Sequence, residues 1–391
     1  MNRLHRIGKN ELTLLQNGVE FFPQLCADID LAHSSIYLET YIFAADETGL
    51  LVAQALQRAA LRGVVVHLLL DGFGSSELPE TLMHDLRRAG VEVQWFRRDI
   101  SPFTLRRDRM RRLRRMHRKL AVIDGKTAFV GGINIINDIP AELDSESPRL
   151  DYTVRIQGEL VQEVQIVMQR LWEMVSWAAF RKRVRTQGWR VYRIKQHPDA
   201  NVQLVLRDNV RHRRDIERAY LKAIAGAQRE VIVANAYFLP GRLFRRALVQ
   251  AARRGVRVVL LLQGKVEYRL QHYATLALYA RLLDAGVEIY EYQPSYLHAK
   301  VAVVDGVWAT VGSFNIDPFS LFLAREANLI VRDVDFAETL RTSLFAAIDQ
   351  DARRVEPARR SLATLLLARL SYGLIRFAIG VLGFSKKHSA N

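Results

Sequence analysis

Short apolar runs alternate with longer helix-forming stretches along this chain, and the same alternation occurs twice. Residues 35–39 and 230–234 each form an apolar run of strand type. Residues 59–63 and 251–255 both end in glycine and lead into the apolar runs 64–70 and 256–262. This pattern predicts, in each copy, a helix that ends at a glycine cap and feeds a buried strand. Residues 89–93 and 285–289 continue the correspondence.

Strands that alternate with helices at this spacing predict an α/β fold in which each copy has a central sheet. Two copies of similar size indicate a domain duplication with pseudo-twofold symmetry, because solenoids use much shorter repeats. We therefore expect a first domain over residues 1–170, a connecting segment over 171–195, a second domain over 196–355 and a C-terminal tail over 356–391. The 391 residues are sufficient for this many cores.

A block of polar residues also occurs twice, at a constant offset of 181 positions. The first block contains His117, Lys119, Asp124, Gly131, Gly132 and Asn134, and the second contains His298, Lys300, Asp305, Gly312, Ser313 and Asn315. The histidine and the lysine of each block are two residues apart, so on a strand both would point to one face. The aspartate that follows precedes a glycine and is expected in a turn.

Two histidines, two lysines and two asparagines are suited to reaction at a phosphodiester. Such a reaction needs a nucleophile, a proton donor for the leaving oxygen, and positive charge around the non-bridging oxygens. Neither half contains the full set, so we expect one active site between the halves, with both imidazoles beside one phosphorus atom. The sequence has no phosphate-binding loop for ATP and no convincing metal-ligand cluster, and we expect no cofactor or metal.

The net charge of +16 predicts a polyanionic partner, either nucleic acid or an anionic membrane surface. The charge is concentrated, since 11 Arg or Lys residues lie between Arg97 and Lys119. The first half also has about fifteen extra residues there, just before its polar block. Because this run leads into His117, we expect it to collect phosphate groups near the site. The candidate lipid contacts in it are Arg111, Arg112, Arg114 and Arg115.

Two further segments have features of a membrane interface. Residues 171–190 contain three of the five tryptophans interleaved with cationic residues, which fits either an interfacial segment or a helix packed on the protein. The apolar stretch from residue 361 contains Arg369 and Arg376, seven positions apart and so on one face of a helix. Each would cost about 2.5–3.5 kcal/mol at the centre of a bilayer. We therefore expect a helix in the interface, or a hairpin in one leaflet, rather than a span.

The paired blocks, with the spacing H-x-K-x4-D-x6-G-(G/S)-x-N, resemble the phospholipase D superfamily over roughly residues 11–350. The basic first half, the N-terminus without a signal peptide and the apolar tail resemble bacterial cardiolipin synthases of type B. The resemblance implies two αβα sandwich domains with the active site at their interface. It also implies a phosphohistidine intermediate, with His117 as the nucleophile and His298 as the acid and base.

The same resemblance assigns the remaining residues. Lys119 and Lys300, with Asn134, Asn315 and Ser313, would bind phosphate oxygens. In the superfamily a carboxylate downstream of each block orients its histidine, and Asp151 and Glu326 have the appropriate spacing. Asp124 and Asp305 match the aspartate of the motif, and either direct catalysis or a structural turn is compatible with their positions.

The implied reaction transfers a phosphatidyl group from one phosphatidylglycerol to another, giving cardiolipin and glycerol. We expect a peripheral or monotopic protein on the cytoplasmic face of a bacterial inner membrane. A nuclease of the same superfamily, a phospholipase D that uses water as acceptor, and a non-catalytic membrane-binding protein are the alternatives. The apolar tail argues against nucleic acid as partner, and the Arg106–Arg118 run offers no aromatic residues for base stacking. The sequence indicates no oligomeric state.

Overall fold

The computed structural model describes residues 3–97, 114–143, 145–178, 200–208, 212–265, 269–317, 324–356 and 373. Most of the arginine-rich run, much of the connecting segment and nearly all of the tail lie outside these ranges. The expectations for Arg111, Arg112, Arg369 and Arg376 therefore fall outside the described residues.

The described part of the first half contains nine strands and four helices. In chain order they are β1 (Leu4–Ile7), β2 (Asn10–Gln16), α1 (Asn17–Asp30), β3 (Ser35–Thr40), α2 (Glu47–Leu61), β4 (Val65–Asp71), α3 (Glu80–Arg88), β5 (Glu92–Phe96), β6 (Arg115–Met116), β7 (Lys119–Ile123), β8 (Thr127–Gly131), β9 (Tyr152–Gly158) and α4 (Leu160–Ala178).

The described part of the second half repeats this order with eight strands and four helices. They are β10 (Val202–Arg207), α5 (Asp215–Gly226), β11 (Glu230–Asn235), α6 (Arg242–Arg253), β12 (Arg257–Gln263), α7 (Arg269–Leu283), β13 (Glu288–Tyr292), β14 (Lys300–Val304), β15 (Trp308–Gly312), β16 (Ala324–Arg332), α8 (Val334–Asp351) and β17 (Ala352–Arg354).

The two central sheets have the same topology, which confirms the duplication. One sheet runs β2-β9-β8-β7-β3-β4-β5 and the other runs β10-β16-β15-β14-β11-β12-β13, so each strand has a counterpart. In both, the strands from the first two helix–strand units are parallel and the two strands of the polar block are antiparallel. β1 is added to an edge of the first sheet and β17 to the opposite edge of the second.

Each sheet has helices on both faces, as expected for an αβα sandwich. Helices α1, α2 and α3 cover the outer face of the first sheet, and α5, α6 and α7 cover the outer face of the second. A third apolar cluster spans the inner faces of both sheets together with α4 and α8. This shared core fixes the two halves against each other, because separating them would expose apolar surface at about 25 cal/mol per Å².

The predicted glycine caps are present in both copies. α2 ends at Leu61 and Gly63 follows with φ +91°, just before β4. α6 ends at Arg253 and Gly255 follows with φ +88°, just before β12. A left-handed residue at this position is favourable only for glycine, which lacks the Cβ that would clash.

The beginning of the connecting segment is helical. α4 continues to Ala178, eight residues past the end of our first domain, and Trp172 is buried against Leu69 and Phe96 of the first sheet. Trp177, on the same helix, is 80% exposed. Among the described residues, none of the helices combines the length and the apolar character needed to cross a bilayer.

Candidate active site

Two short backbone junctions bring the halves together at the polar blocks. The amide of His117 donates to the carbonyl of Arg325 at 3.0 Å, and the amide of His298 donates to the carbonyl of Leu150 at 2.9 Å. The residue before each histidine also lies against the other half, through β6 with β16 and through a bridge between Leu150 and Leu297. The paired blocks therefore meet at one place, on the pseudo-twofold axis.

Each histidine pairs with the carboxylate of the opposite half, which corrects the pairing that the family resemblance implied. His117 Nδ1 lies 3.0 Å from Glu326 Oε2, and His298 Nδ1 lies 2.5 Å from Asp151 Oδ2. The backbone junctions explain the exchange, because Glu326 directly follows the carbonyl that accepts from His117. Asp151 has the same relation to His298.

Ser313 does not face a phosphate position. Its hydroxyl is fully buried and donates to Glu326 Oε2 at 2.6 Å, while it accepts from the amide of Ala327 at 3.1 Å. The equivalent Gly132 has no room for a side chain, since a Cβ there would lie 2.3 Å from Asp151 Oδ1. The two positions thus differ because Gly132 leaves room for Asp151, whereas Ser313 donates to Glu326. Our assignment of Ser313 to phosphate binding is corrected.

The two lysines are the first residues of β7 and β14, so the histidines precede these strands rather than lying within them. Lys119 Nζ donates to the carbonyl of His117 at 2.9 Å and lies 5.3 Å from the centre of the Tyr41 ring. Lys300 is fully buried, with Nζ bonded to the carbonyl of His298 and 3.6 Å from Asp151 Oδ2. Burial, and then the neighbouring Lys300 ammonium, lower the pKa of Lys119 to about 7.

Burial also decides the charge of the other titratable groups in the site. It lowers the pKa of His117, partly offset by the charge of Glu326. It lowers the pKa of His298 further, with additional contributions from Lys300 and Lys119. Burial raises the pKa of Asp151 to about 6, against the opposing effect of Lys300. Without ligand at neutral pH, both imidazoles are therefore neutral and have a lone pair available.

Both imidazoles line one cavity of 420 Å³, as the paired blocks require. Asn134 also lines it, with its Oδ1 accepting from the amide of Ile42 at 3.2 Å, so that its NH₂ group remains as a donor. Asn315 is buried, and its Oδ1 meets no donor among the described residues. The cavity is large enough for a phosphodiester with part of its headgroup.

Asp124 and Asp305 lie far from this cavity, and their assignment to the catalytic group is corrected. Lys119 begins β7 and Asp124 follows the last residue of that strand. The two residues are therefore five positions apart, or about 17 Å of extended chain. The Asp124 carboxylate accepts from the amides of residues 33–35 at 2.8–3.0 Å, and Asp305 accepts likewise from residues 228–230 at 2.8–2.9 Å. Against the effect of partial burial, these amides lower the pKa of Asp124 to about 2. Both aspartates hold the block turn to the start of the neighbouring strand.

Of the candidate lipid contacts, Arg114 and Arg115 lie within the described residues, and both are half-buried. Arg115 lies in β6 beside Ala324, and its guanidinium is 4.9 Å from the centre of the Phe73 ring. Within the described residues, no group of three or more His, Cys, Asp or Glu side chains is placed to hold a metal ion.

Sequence reasoning missed several other residues that line the cavity, among them Tyr41, Asp138 and Arg149. The Tyr41 ring lies 4.8 Å from the His117 ring, and Asp138 Oδ2 accepts from the amide of Gly18 at 2.7 Å. One signal was present for Arg149, because it lies two positions before Asp151 and so on the same face of an extended segment. For Tyr41 the signal was its position just past the end of a predicted strand.

Comparison with known proteins agrees with this architecture. The family model described as "Cardiolipin synthase, PLD-like domain" matches residues 25–172 and again 220–347, one match in each half. The chain is 38% identical to cardiolipin synthase B of Escherichia coli (strain K12) over 97% of its length and 91% of that protein. It is 39% identical to cardiolipin synthase B of Salmonella typhi, with the same coverage.

Two solved structures share the fold at low sequence identity. A phosphatidylserine synthase of Haemophilus influenzae superposes with a TM-score of 0.70 and 16% identity, covering 95% of this chain and 94% of that one. A polyphosphate kinase of Porphyromonas gingivalis superposes with a TM-score of 0.55 and 14% identity, covering 94% of this chain and 53% of that one. The duplicated sheets, the family match in each half and the nearly full-length relatives agree, and this chain belongs to the family of cardiolipin synthases built from phospholipase D-like domains.

Proposed function

We propose that this protein is a cardiolipin synthase that transfers a phosphatidyl group between two molecules of phosphatidylglycerol through a phosphohistidine. The observation that carries the proposal is the placement of two imidazoles, each backed by a carboxylate of the opposite half, on one cavity. Relatives that match over nearly the whole chain are cardiolipin synthases.

His117 is proposed as the nucleophile. Its Nδ1 lies 3.2 Å from the carbonyl of Ser313 as well as 3.0 Å from Glu326. A carbonyl can only accept, so Nδ1 carries the hydrogen and the lone pair remains on Nε2. In the first step Nε2 attacks the phosphorus, a P–N bond forms and the bond to the glycerol oxygen breaks. Glu326 then stabilises the positive charge of the phosphorylated imidazole.

His298 is proposed as the acid and base. It protonates the departing glycerol, then removes the proton from the hydroxyl of the second phosphatidylglycerol, which attacks phosphorus and breaks the P–N bond. The first step requires an imidazolium, although burial and the lysines oppose that charge in the ligand-free site. A bound phosphodiester adds negative charge beside the ring, and Asp151 Oδ2, 2.5 Å from Nδ1, can accept from the imidazolium, so both favour the protonated form.

The lysines and asparagines are proposed to hold the non-bridging oxygens. Lys119 and Lys300 each donate to the backbone of their own block, which fixes their ammonium groups beside the imidazoles. A bound phosphate would also raise the depressed pKa of Lys119. Substrate binding therefore keeps the Lys119 ammonium protonated, and this positive charge in turn stabilises the bound phosphate. Placing fixed cations where charge develops is the largest contribution available to such a site.

We further propose that the protein acts at the cytoplasmic face of a bacterial inner membrane as a peripheral or monotopic protein. The net charge of +16 supports attraction to anionic lipid. Deleting residues 361–391 tests the tail. We expect the truncated protein to leave the membrane pellet, and unchanged fractionation would contradict an anchoring role.

The reaction is tested with purified protein and phosphatidylglycerol vesicles, following glycerol, cardiolipin and phosphatidic acid by mass spectrometry. We expect cardiolipin and glycerol in equal amounts, and no cardiolipin from His117→Ala or His298→Ala. Phosphatidic acid as main product would identify a hydrolase, and cleavage of single-stranded DNA without lipid turnover would identify a nuclease. Undiminished cardiolipin in either histidine variant would refute the mechanism.

A further inference from the structure

The cavity contains a cation, Arg149, that lies outside the two polar blocks. Arg149 lines it, and its side chain is 16% exposed. The guanidinium donates to the carbonyl of Asn137 and lies 5.9 Å from the centre of the Tyr296 ring, so its plane is held in place. Its nearest carboxylate, Glu142, is 3.8 Å away and 63% exposed, which makes for a weak ion pair that a ligand can displace.

Arg149 lies beside the reaction centre at a defined spacing. Residues 149 and 151 share a face of one extended segment, and residues 296 and 298 share the matching face of its neighbour, because Leu150 pairs with Leu297. Asp151 meets His298 on that face, and Arg149 meets Tyr296 one step further along. The step between alternate residues is about 7 Å.

This spacing matches an acceptor that carries its own phosphate. When a glycerol bridges two phosphates, six bonds separate the two phosphorus atoms. Two residues of extended backbone also contain six bonds between their ends and span about 7 Å. The centre beside His298 holds the reacting phosphate, so the second phosphate reaches Arg149. A planar guanidinium can give such a phosphate two parallel hydrogen bonds.

We infer that Arg149 is a specificity-determining residue that binds the phosphate of the acceptor lipid, an inference that rests on the proposed function. The second half has no matching arginine at this position. Arg149 lies two positions before Asp151, whereas the residue two positions before Glu326 is Ala324. Asp138 also lies in the cavity, but its Oδ2 is bonded to the amide of Gly18 at the start of α1, where its charge is partly compensated. The acceptor phosphate therefore has a positively charged partner on one side of the axis.

The test compares two acceptors that use the same phosphatidyl-enzyme. One is phosphatidylglycerol, giving cardiolipin, and the other is labelled free glycerol, which exchanges into phosphatidylglycerol and has no phosphate. We expect Arg149→Gln to reduce cardiolipin formation about 10- to 100-fold, the loss of a charge-assisted hydrogen bond, and glycerol exchange by less than about threefold. Arg149→Lys should retain part of the cardiolipin activity.

Arg155→Gln is the matched control. Arg155 has a similar side-chain exposure of 18% and pairs with Asp28, away from the cavity. It should leave the ratio of the two reactions unchanged. A parallel fall of both reactions in Arg149→Gln, or no change in either, would overturn the inference while the proposed function stands. A wild-type protein that forms no cardiolipin would overturn both.

A measurement on the wild-type protein does not depend on the folding of any variant. Glycerol 3-phosphate and glycerol are supplied separately as soluble acceptors to the protein with phosphatidylglycerol. The inference requires a higher kcat/KM for the phosphorylated acceptor, and equal or lower values would contradict it.

Discussion

Replacing Glu326 with glutamine removes a buried negative charge beside His117 and keeps the side-chain length. Glu326 is fully buried, and its Oε2 lies 3.0 Å from His117 Nδ1 and 2.6 Å from Ser313 Oγ. A hydrogen bond to a charged group contributes about 1.5–3 kcal/mol, which corresponds to about 10- to 150-fold in rate. Because His117 becomes positively charged only as the P–N bond forms, we expect most of this loss in the rate of that step.

The pH dependence distinguishes the observed pairing from pairing within one half. Glu326 raises the pKa of His117, so its removal makes the imidazolium less favourable and lowers that pKa. The nucleophile must be unprotonated, so kcat/KM rises with pH through this pKa. The acidic limb that reports His117 should therefore move to lower pH in Glu326→Gln. Asp151→Asn removes a carboxyl group whose own pKa is about 6 and should leave the pKa of His117 in place.

The assay measures the first-turnover release of labelled glycerol from phosphatidylglycerol by rapid quench, between about pH 4.5 and 7.5 around the ordinary histidine pKa. Glu291→Gln is the control, because Glu291 is a buried carboxylate of the same half that accepts from Tyr279 and pairs with Arg353. It should leave the burst rate unchanged. An acidic limb that moves in Asp151→Asn and not in Glu326→Gln would refute the cross-half pairing.

Three further predictions concern the turns, the glycine and the lysine of the blocks. Asp124→Asn and Asp305→Asn should each lower the free energy of unfolding, measured by urea titration, by about 1–3 kcal/mol, because the carboxylates of both residues bind backbone amides. The kcat of both variants should be retained. Loss of activity at normal stability would contradict this prediction. Gly132→Ala should displace Asp151 and reduce cardiolipin formation at least about tenfold, as the loss of a charged hydrogen bond implies. Gly226→Ala is the control, because a Cβ at Gly226 meets open space, and it should not reduce the activity. Equal activities of the two variants would argue against the close packing of Gly132 on Asp151. Binding of glycerophosphoglycerol, whose charge is constant, should raise the melting temperature of the protein more at a pH below 7 than above it. The reason is that Lys119 loses its proton near pH 7. The same pH dependence in Lys119→Met would show that another group is responsible.

The amino-acid sequence determined the features that depend on local chemistry. The duplication, the glycine caps at Gly63 and Gly255 and the strand–turn–strand form of each block follow from short-range periodicity and turn residues. Because each half contains an incomplete set of reacting groups, the sequence also predicted a site between the halves. A structural turn was one of the two interpretations of Asp124 and Asp305, and the hydrogen bonds of their carboxylates select it.

Tertiary structure alone decided which groups meet across the axis. Glu326 lies 28 residues from His298 in the chain but bonds to His117, because the amide of His117 pairs with the carbonyl of Arg325 in the opposite half. Spacing along the chain cannot report such a contact, since it depends on how two sheets pack through their shared apolar core. The burial of Ser313 and the position of Arg149 in the cavity have the same origin. Sequence thus specified the reacting groups, and the packing of the halves specified their partners.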